Sequence, residues 1–349
     1  MKIAITTVQA PFVSGGAEFH ALNLRNALIK NGHEAEIVTM PFMDNPVDLI
    51  EDHIVAARLL DVSKSWAGEV DLCIGLKFPA YFMQHPNKVV WALHQYRAVY
   101  ELFASEYSML KDDLIGNKVK SIVTNADNCY LREAKNIYTN SRNVANRMNK
   151  FNNLQAQALY HPCPDMDSFY SKEYGDYILM PSRINITKRQ LLAVEAMAHT
   201  KENVNLYIVG GADHIYEQKR LTDKIHELKL KDKVKYFGIV DQEEKFRLYA
   251  GARAVLFIPY DEDYGYITLE AMSASRAVIT TNDSGGPLEF IENVKTGLVV
   301  NPNPEDIAKA IDSFSRSASM AEIMGKAAKK HLDNMGISWN NVVKELTKP

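Results

Sequence analysis

The sequence predicts an α/β protein of two doubly wound, Rossmann-like domains facing one another across a cleft. Three observations carry this. The chain opens strand–loop–helix–strand, the βαβ unit of a parallel sheet. A polar stretch with two prolines and no periodicity, "HPCPDMDSFYSKEYGD" (His161–Asp176), then interrupts the alternation and reads as a linker. A second strand–helix alternation begins directly after it. A length of 349 residues suits two domains better than one.

The elements follow in order. "KIAITTV" is a β-branched run and forms the first strand. The loop with "SGG" (Ser14, Gly15, Gly16) comes next. Ala17, Ala21, Leu24, Ala27 and Leu28 then recur at helical spacing until "NGH" (Asn31–His33) supplies a C-cap. "EAEIVTM", "VDLCIGL", "KVVWAL", "NIYTNS" and "QALYHP" read as further strands, with helical segments between most of them. After the linker come "YILMPSR" (strand), Lys188–Ala198 (helix), "VNLYIVG" (strand), Asp213–Leu228 (helix), "KVKYFG" (strand), Gln242–Ala250 (helix) and "RAVLFIP" (strand). "YITLEAM" reads as helix and "TGLVV" as strand, and helices run on to the C-terminus.

Apolar residues make up 46% and charged residues 24%, an ordinary soluble composition. A net charge of −3 provides no global field for nucleic acid, and the cluster Arg142, Arg147, Lys150 reads as one solvated helix face. Cys73, Cys129 and Cys163 are far apart and odd in number, matching neither a disulfide framework nor a zinc site, so a reducing cytosol fits best. No run of about 18 apolar residues occurs, and the opening residues show no secretory h-region. The expected location is cytoplasmic, with peripheral contact to the inner face of the membrane left open.

The chemistry concentrates in "DEDYGYITLEAMSASRAVITTNDSGGPLEF" (Asp261–Phe290). Glu262 and Glu270 bracket a turn, at Gly265, that leaves a strand end and opens a helix. The amides of Tyr264, Gly265, Tyr266, Ile267 and Thr268 would then form an anion site for which phosphate is the usual guest. Glu270 stands one turn inside, about 6 Å from the helix start, where it can accept hydrogen bonds from a ribose diol. Glu262 can reach the other side of the phosphate. On spacing alone an equal reading is a macrodipole-stabilised acid followed by a surface acid.

With these residues in view the sequence resembles the retaining GT-B glycosyltransferases of family 4. Glu262, seven residues, Glu270 and the following "EAM" match the family signature, and "GGPLE" (Gly285–Glu289) matches its later glycine loop. "SGGAE" after the first strand, "SRINITK" (Ser182–Lys188), "VKYFGIV" (Val234–Val240) and "TGLVV" fall in the family's order, so the likeness covers nearly the whole chain. It implies an N-terminal acceptor-side domain (1–165), a C-terminal sugar-nucleotide-binding domain (166–335), and a closing helix (336–349) that crosses back onto the first. It implies that Glu270 binds the ribose and Glu262 the donor sugar. Arg183 and Lys188 neutralise the diphosphate, and amides around Tyr266 and Ile267 hold the same phosphates. Gly15 and Gly16 allow close approach of the backbone to the donor and the acceptor, Ile239 lies beside the nucleobase, and His94 stands beside the reacting sugar, with Asn140 and Ser141 as weaker candidates. The chain departs from the pattern at Asp263, where many relatives have Gly, and at "SRA" (Ser275–Ala277) after the helix.

The implied reaction transfers a sugar from a nucleotide-diphosphate sugar to a hydroxyl of a glycan or lipid-linked acceptor. It needs no cofactor, and "DED" (Asp261–Asp263) is read as no metal site. Retention usually calls for a carboxylate nucleophile about 5 Å from a second carboxylate. The first domain offers none, so a front-face substitution fits better. A dinucleotide-dependent oxidoreductase is disfavoured because the first loop lacks G-x-G-x-x-G. A phosphorylase would need a marked pyridoxal lysine. A GT-B epimerase and a non-catalytic sugar-nucleotide sensor remain as alternatives.

Overall fold

The structure is a computed structural model that describes residues 1–10 and 15–348. Ser14 of the "SGG" loop lies outside the described residues. Two compact units form, one from Met1–Pro164 with the segment from Ser338 onward, the other from Asp165–Ile337.

The first unit holds a six-stranded, all-parallel sheet. Its strands are β1 (Lys2–Gln9), β2 (Glu34–Pro41), β3 (Leu72–Gly75), β4 (Lys88–Ala92), β5 (Asn136–Thr139) and β6 (Gln157–Ala158), in the order β2-β1-β3-β4-β5-β6. Every residue of β3 and β4 is buried, as expected where helices cover both faces of a parallel sheet. Lys88 is buried there too, and its ammonium is met by Glu133 at 3.1 Å. The helix Gly16–Lys30 packs His20, Ala21, Leu24, Ala27 and Leu28 inward. "QALYHP" supplies only the two residues of β6. Its neighbour β5 ends at Thr139, because Ser141 turns the chain into the next helix.

Burial extends further than the sequence suggested in two places. Arg147, expected on a solvated face, is 7% exposed and pairs with Glu101 at 3.2 Å. Asp127 is fully buried and accepts from Tyr81 Oη (2.9 Å), Tyr100 Oη (2.6 Å) and Gln95 Nε2 (2.8 Å). Desolvation still outweighs these donors and raises its pKa to about 6. The helix Trp339–Leu346 lies against this first unit. Val342, Val343 and Leu346 join the core of Ile5, Leu24 and Trp91, and Tyr138 Oη donates to Glu345 O at 3.3 Å.

The second unit has six parallel strands: β7 (Tyr177–Pro181), β8 (Asn205–Val209), β9 (Val234–Tyr236), β10 (Ala254–Leu256), β11 (Val278–Thr281) and β12 (Gly297–Val300). Their order is β9-β8-β7-β10-β11-β12, so the chain reverses its direction of travel across the sheet between β7 and β10. In such sheets the crevice at the carboxyl ends of the two strands flanking the reversal is the usual ligand position. The segment His161–Asp176, read as a polar linker, is mostly solvent-facing but is pinned to the protein at three points. His161, Cys163 and Phe169 are buried, and Phe169 sits edge-on to Phe246 and Tyr249. The helix expected from Lys188 begins instead at Gln190, because Arg189 adopts a left-handed φ of 58°. Among the described residues, no helix is long and apolar enough to cross a membrane.

Candidate functional site

Three adjacent strands, β7, β10 and β11, send their carboxyl ends into three loops that bind one another. After β7, Asn185 caps a single turn, Ile186–Lys188. Its Oδ1 accepts from Lys188 N at 3.1 Å and from Thr187 Oγ1 at 2.9 Å. Asp213, beyond β8, receives Arg183 Nη1 at 2.7 Å and Asn185 Nδ2 at 2.9 Å, while the Arg183 side chain stays 63% exposed.

The loop after β10 is stitched on both sides by backbone. Tyr260 N donates to Thr187 O at 2.7 Å, Glu262 N to Ser284 O at 2.9 Å, and Gly286 N to Glu262 O at 2.8 Å. Two glycines are needed here for stated reasons. Gly265 has φ +89°, and a Cβ on it would fall 2.9 Å from Pro287 Cγ. A Cβ on Gly286 would fall 2.6 Å from Asp263 O. The loop and the "GG" turn are thus one fitted piece, and the helix Tyr266–Ser273 starts from it.

This architecture brings Lys188 to Glu262. Their side chains form a salt bridge while only 14% and 20% exposed, and the ammonium lies 5.5 Å from the Phe257 ring centroid. A cation and a carboxylate therefore stand beside the start of the helix, where its geometry turns the first amides outward. Thr268 N donates to Gly265 O at 3.0 Å. The Thr268 hydroxyl is fully buried in that first turn and has no hydrogen-bond partner among the described residues.

Glu270 is no surface acid, being 6% exposed. Lys245 Nζ meets its Oε1 at 2.6 Å and Tyr249 Oη its Oε2 at 2.5 Å, both from the helix Gln242–Gly251. Each carboxylate oxygen has two lone pairs, so further acceptor capacity remains. Tyr264 is buried, its ring edge-on to those of Tyr266 and Phe290. Ile267 is half-buried on the first helical turn. Ile239, past β9, is 84% exposed and leans over Gly211.

In the first unit, Gly15 is the N-cap of the helix that starts at Gly16, and its N–H donates to Glu18 Oε2 at 2.8 Å. Its φ of −158° is open to any residue. His94 follows β4, half-buried, with Nδ1 2.6 Å from Gln95 O. A carbonyl only accepts, so Nδ1 carries a proton. Ser141 has a local duty: its Oγ caps the helix Arg142–Asn152 by accepting from Val144 N at 3.1 Å. Asn140 beside it is buried.

The sequence reading missed Arg189 and Asp283, which pair at 2.7 and 2.9 Å, and it missed Lys245, Tyr249 and Asp213. It also passed over Arg276, in the departing "SRA". This residue is fully buried and donates to Tyr249 O (3.1 Å) and Lys172 O (2.8 Å), tying the end of the Tyr266–Ser273 helix to its neighbours. The signal for Arg276 was there: an Arg directly before the apolar run "AVITT" has its stem in the core.

Residues 165–331 match the family of glycosyl transferases group 1. A stretch of 177 residues, 47% of this chain, is 29% identical to alpha-1,3/1,6-mannosyltransferase ALG2 of Homo sapiens and spans 42% of that protein. Over 99% of its length the chain is 24% identical to an uncharacterized glycosyltransferase of Methanocaldococcus jannaschii, covering 96% of it. The fold matches that of Anabaena HepE, solved in complex with UDP and glucose, at a TM-score of 0.72 and 17% identity, covering 99% of this chain and 98% of that one. The chain has the GT-B fold, and its second unit resembles the group 1 glycosyl transferases over residues 165–331.

Proposed function

We propose that this protein is a retaining glycosyltransferase of family 4. It moves a hexose from a nucleotide-diphosphate sugar to a hydroxyl of a glycan or lipid-linked acceptor, on the cytoplasmic side of the membrane, in the building of cell-surface polysaccharide. The observation that carries this is the meeting of Lys188 and Glu262 beside the start of the Tyr266–Ser273 helix, at the strand ends where the second sheet reverses. The mannosyltransferase relative and the UDP-bound neighbour agree with such a donor.

In this reading the second unit binds the donor. Arg183, Lys188 and the amides of Tyr266 and Ile267 hold the diphosphate, Glu270 the ribose, Ile239 the base and Glu262 the sugar hydroxyls. From the first unit, Gly15 and Gly16 let the backbone approach the donor and the acceptor closely, and His94 stands beside the reacting sugar. The barrier lies in breaking the anomeric C–O bond, which leaves negative charge on the diphosphate. Cations and amide dipoles fixed in place stabilise that charge most in the transition state. The acceptor oxygen bonds to the anomeric carbon on the face the diphosphate leaves, and the departing phosphate oxygen takes the hydroxyl proton.

The test is a thermal-shift panel of UDP, GDP, ADP and their sugar conjugates, since a ligand that binds only the folded state raises the melting temperature. One base should stand out, and a flat panel would reject the donor site. Glu270→Ala should then weaken that nucleotide by roughly 10–100-fold in calorimetry, the size of one or two lost charge-assisted hydrogen bonds. Unchanged affinity removes Glu270 from the ribose site. The charge is handled by Lys188, Arg183 and backbone, so EDTA should leave turnover unchanged, and a restored activity on adding Mg²⁺ or Mn²⁺ overturns the metal-independent reading.

A further inference from the structure

Arg189 is the residue through which three loops meet. It sits between the turn Ile186–Lys188 and the helix Gln190–His199, in the left-handed region at φ 58°. That conformation disfavours any side chain but glycine, and it persists only when the surroundings hold it. Here the guanidinium forks onto Asp283, with Nη1 2.9 Å from Oδ1 and Nη2 2.7 Å from Oδ2. A bidentate pair of this kind fixes direction as well as distance. The same guanidinium carbon lies 5.0 Å from the Tyr260 ring centroid. Asp283 in turn accepts Asp261 N at its backbone oxygen, 2.8 Å away. The side chains are 12% and 29% exposed, so water competes with the fork only weakly.

Lys188 and Glu262 are the immediate beneficiaries. Lys188 is the preceding residue in the chain, and Glu262 lies one residue past Asp261. The turn that carries Lys188 and the loop that carries Glu262 are each tied to Arg189 or to its partner.

We infer that Arg189 is a positioning residue: its ion pair with Asp283 locks the turn after β7 onto the loops after β10 and β11, and so sets Lys188 against Glu262 and the diphosphate. The role in donor binding rests on the function proposed above, while the lock itself is a property of the ligand-free chain, and the two are tested apart.

The experiment uses the full chain with Arg189→Gly and Asp283→Ala. Glycine takes φ 58° freely, so Arg189→Gly removes the fork and relieves the backbone together, and the variant should fold. Without ligand, brief acetylation followed by peptide mass spectrometry should show Lys188 modified at least threefold faster in both variants, with Lys326 and Lys329, whose side chains lie on the solvent face of the helix Ala318–Asn334 and pair with Glu322 and Asp333, unchanged. Unchanged Lys188 reactivity in both variants overturns the lock. A rise in labelling at every lysine together with a lower melting temperature marks a merely structural pair and overturns it equally. With nucleotide, calorimetry on whichever of UDP, GDP and ADP the wild type binds should show about tenfold weaker binding in the variants, while the matching monophosphate, which lacks the second phosphate, binds as in the wild type. Equal losses for mono- and diphosphates reject positioning of Lys188 at the diphosphate. Wild-type protein that binds none of UDP, GDP and ADP counts against the proposed function, and the acetylation result still decides the lock.

Discussion

Replacing Lys188 by alanine is expected to lower turnover on the nucleotide-sugar donor by roughly 10²–10³-fold, the loss that follows removal of one fixed donor at a developing charge, about 3–4 kcal/mol. The effect should fall on kcat more than on KM, because the diphosphate gains charge as the C–O bond breaks and the ammonium is worth more then than in the ground state. The site gives reason to expect a value at the high end. Lys188 is 14% exposed and sits against Phe257, so little solvent is at hand to replace its charge. The same substitution removes the Lys188 ammonium from Glu262, so the melting temperature must be read alongside. Lys188→Arg separates the two effects. It keeps the charge for Glu262 but presents a planar fork in place of a compact ammonium, and so should restore stability more fully than turnover. Near-wild-type kcat in Lys188→Ala would remove this residue from the reaction.

What the sequence made legible, and what it did not, follows from how local each feature is. The parallel strands could be read because burial on both faces writes continuous apolar runs such as "KVVWAL" and "YILMP". Gly265 and the helix after it could be read because a glycine before a breaker-free run is a local signal. Glu270 was singled out by its spacing from Glu262 together with the family signature, since spacing alone left a surface acid equally open. The residues that hold it, Lys245 and Tyr249, were not, since both lie on an ordinary-looking helix and reach Glu270 only through the tertiary fold. Arg189 was hidden more deeply. It stands where the pattern reads as a helix start, and its partner Asp283 is 94 positions away. Arg147 looked like surface because its partner, Glu101, lies in a segment without periodicity. In each case a polar group is paid for by a partner that only the folded chain supplies, and no spacing rule connects the two.

Mild acid should loosen the first unit, and two histidines should account for it. His20 and His161 are each 1% exposed, with ring centroids 4.4 Å apart, and His20 is 4.4 Å from Trp91. Trp339, at the start of the C-terminal helix, closes the cluster at 5.6 Å from His161 and 6.0 Å from His20. Neither ring nitrogen of His20 finds a hydrogen-bond partner among the described residues. His161 Nδ1 is 3.2 Å from Pro162 O, which can only accept. Burial therefore holds both rings neutral, driving the His20 pKa far down and that of His161 to about 3. In the unfolded chain both titrate near 6.5. Above that pH neither state binds the proton and stability is unaffected. Below it the unfolded chain takes up protons that the native state refuses, and each histidine costs about 1.4 kcal/mol per pH unit. Between pH 6.5 and 5 the pair costs roughly 4 kcal/mol. Asp127 works in the opposite sense. Its carboxyl titrates near 6 when folded, so protonation returns about 1 kcal/mol between pH 6 and 5. The net expectation is a loss of roughly 2–3 kcal/mol from pH 7 to 5, a large part of a typical domain's margin. Urea melts followed by tryptophan fluorescence, which Trp91 and Trp339 report from inside the cluster, measure it directly. His161→Phe should roughly halve the histidine part of the slope. In His20→Phe/His161→Phe the slope between pH 6 and 5 should flatten or reverse, because Asp127 is then opposed chiefly by His33, whose pKa is lowered less strongly than those of His20 and His161. A double variant that still loses stability as steeply as the wild type would assign the acid lability to other groups.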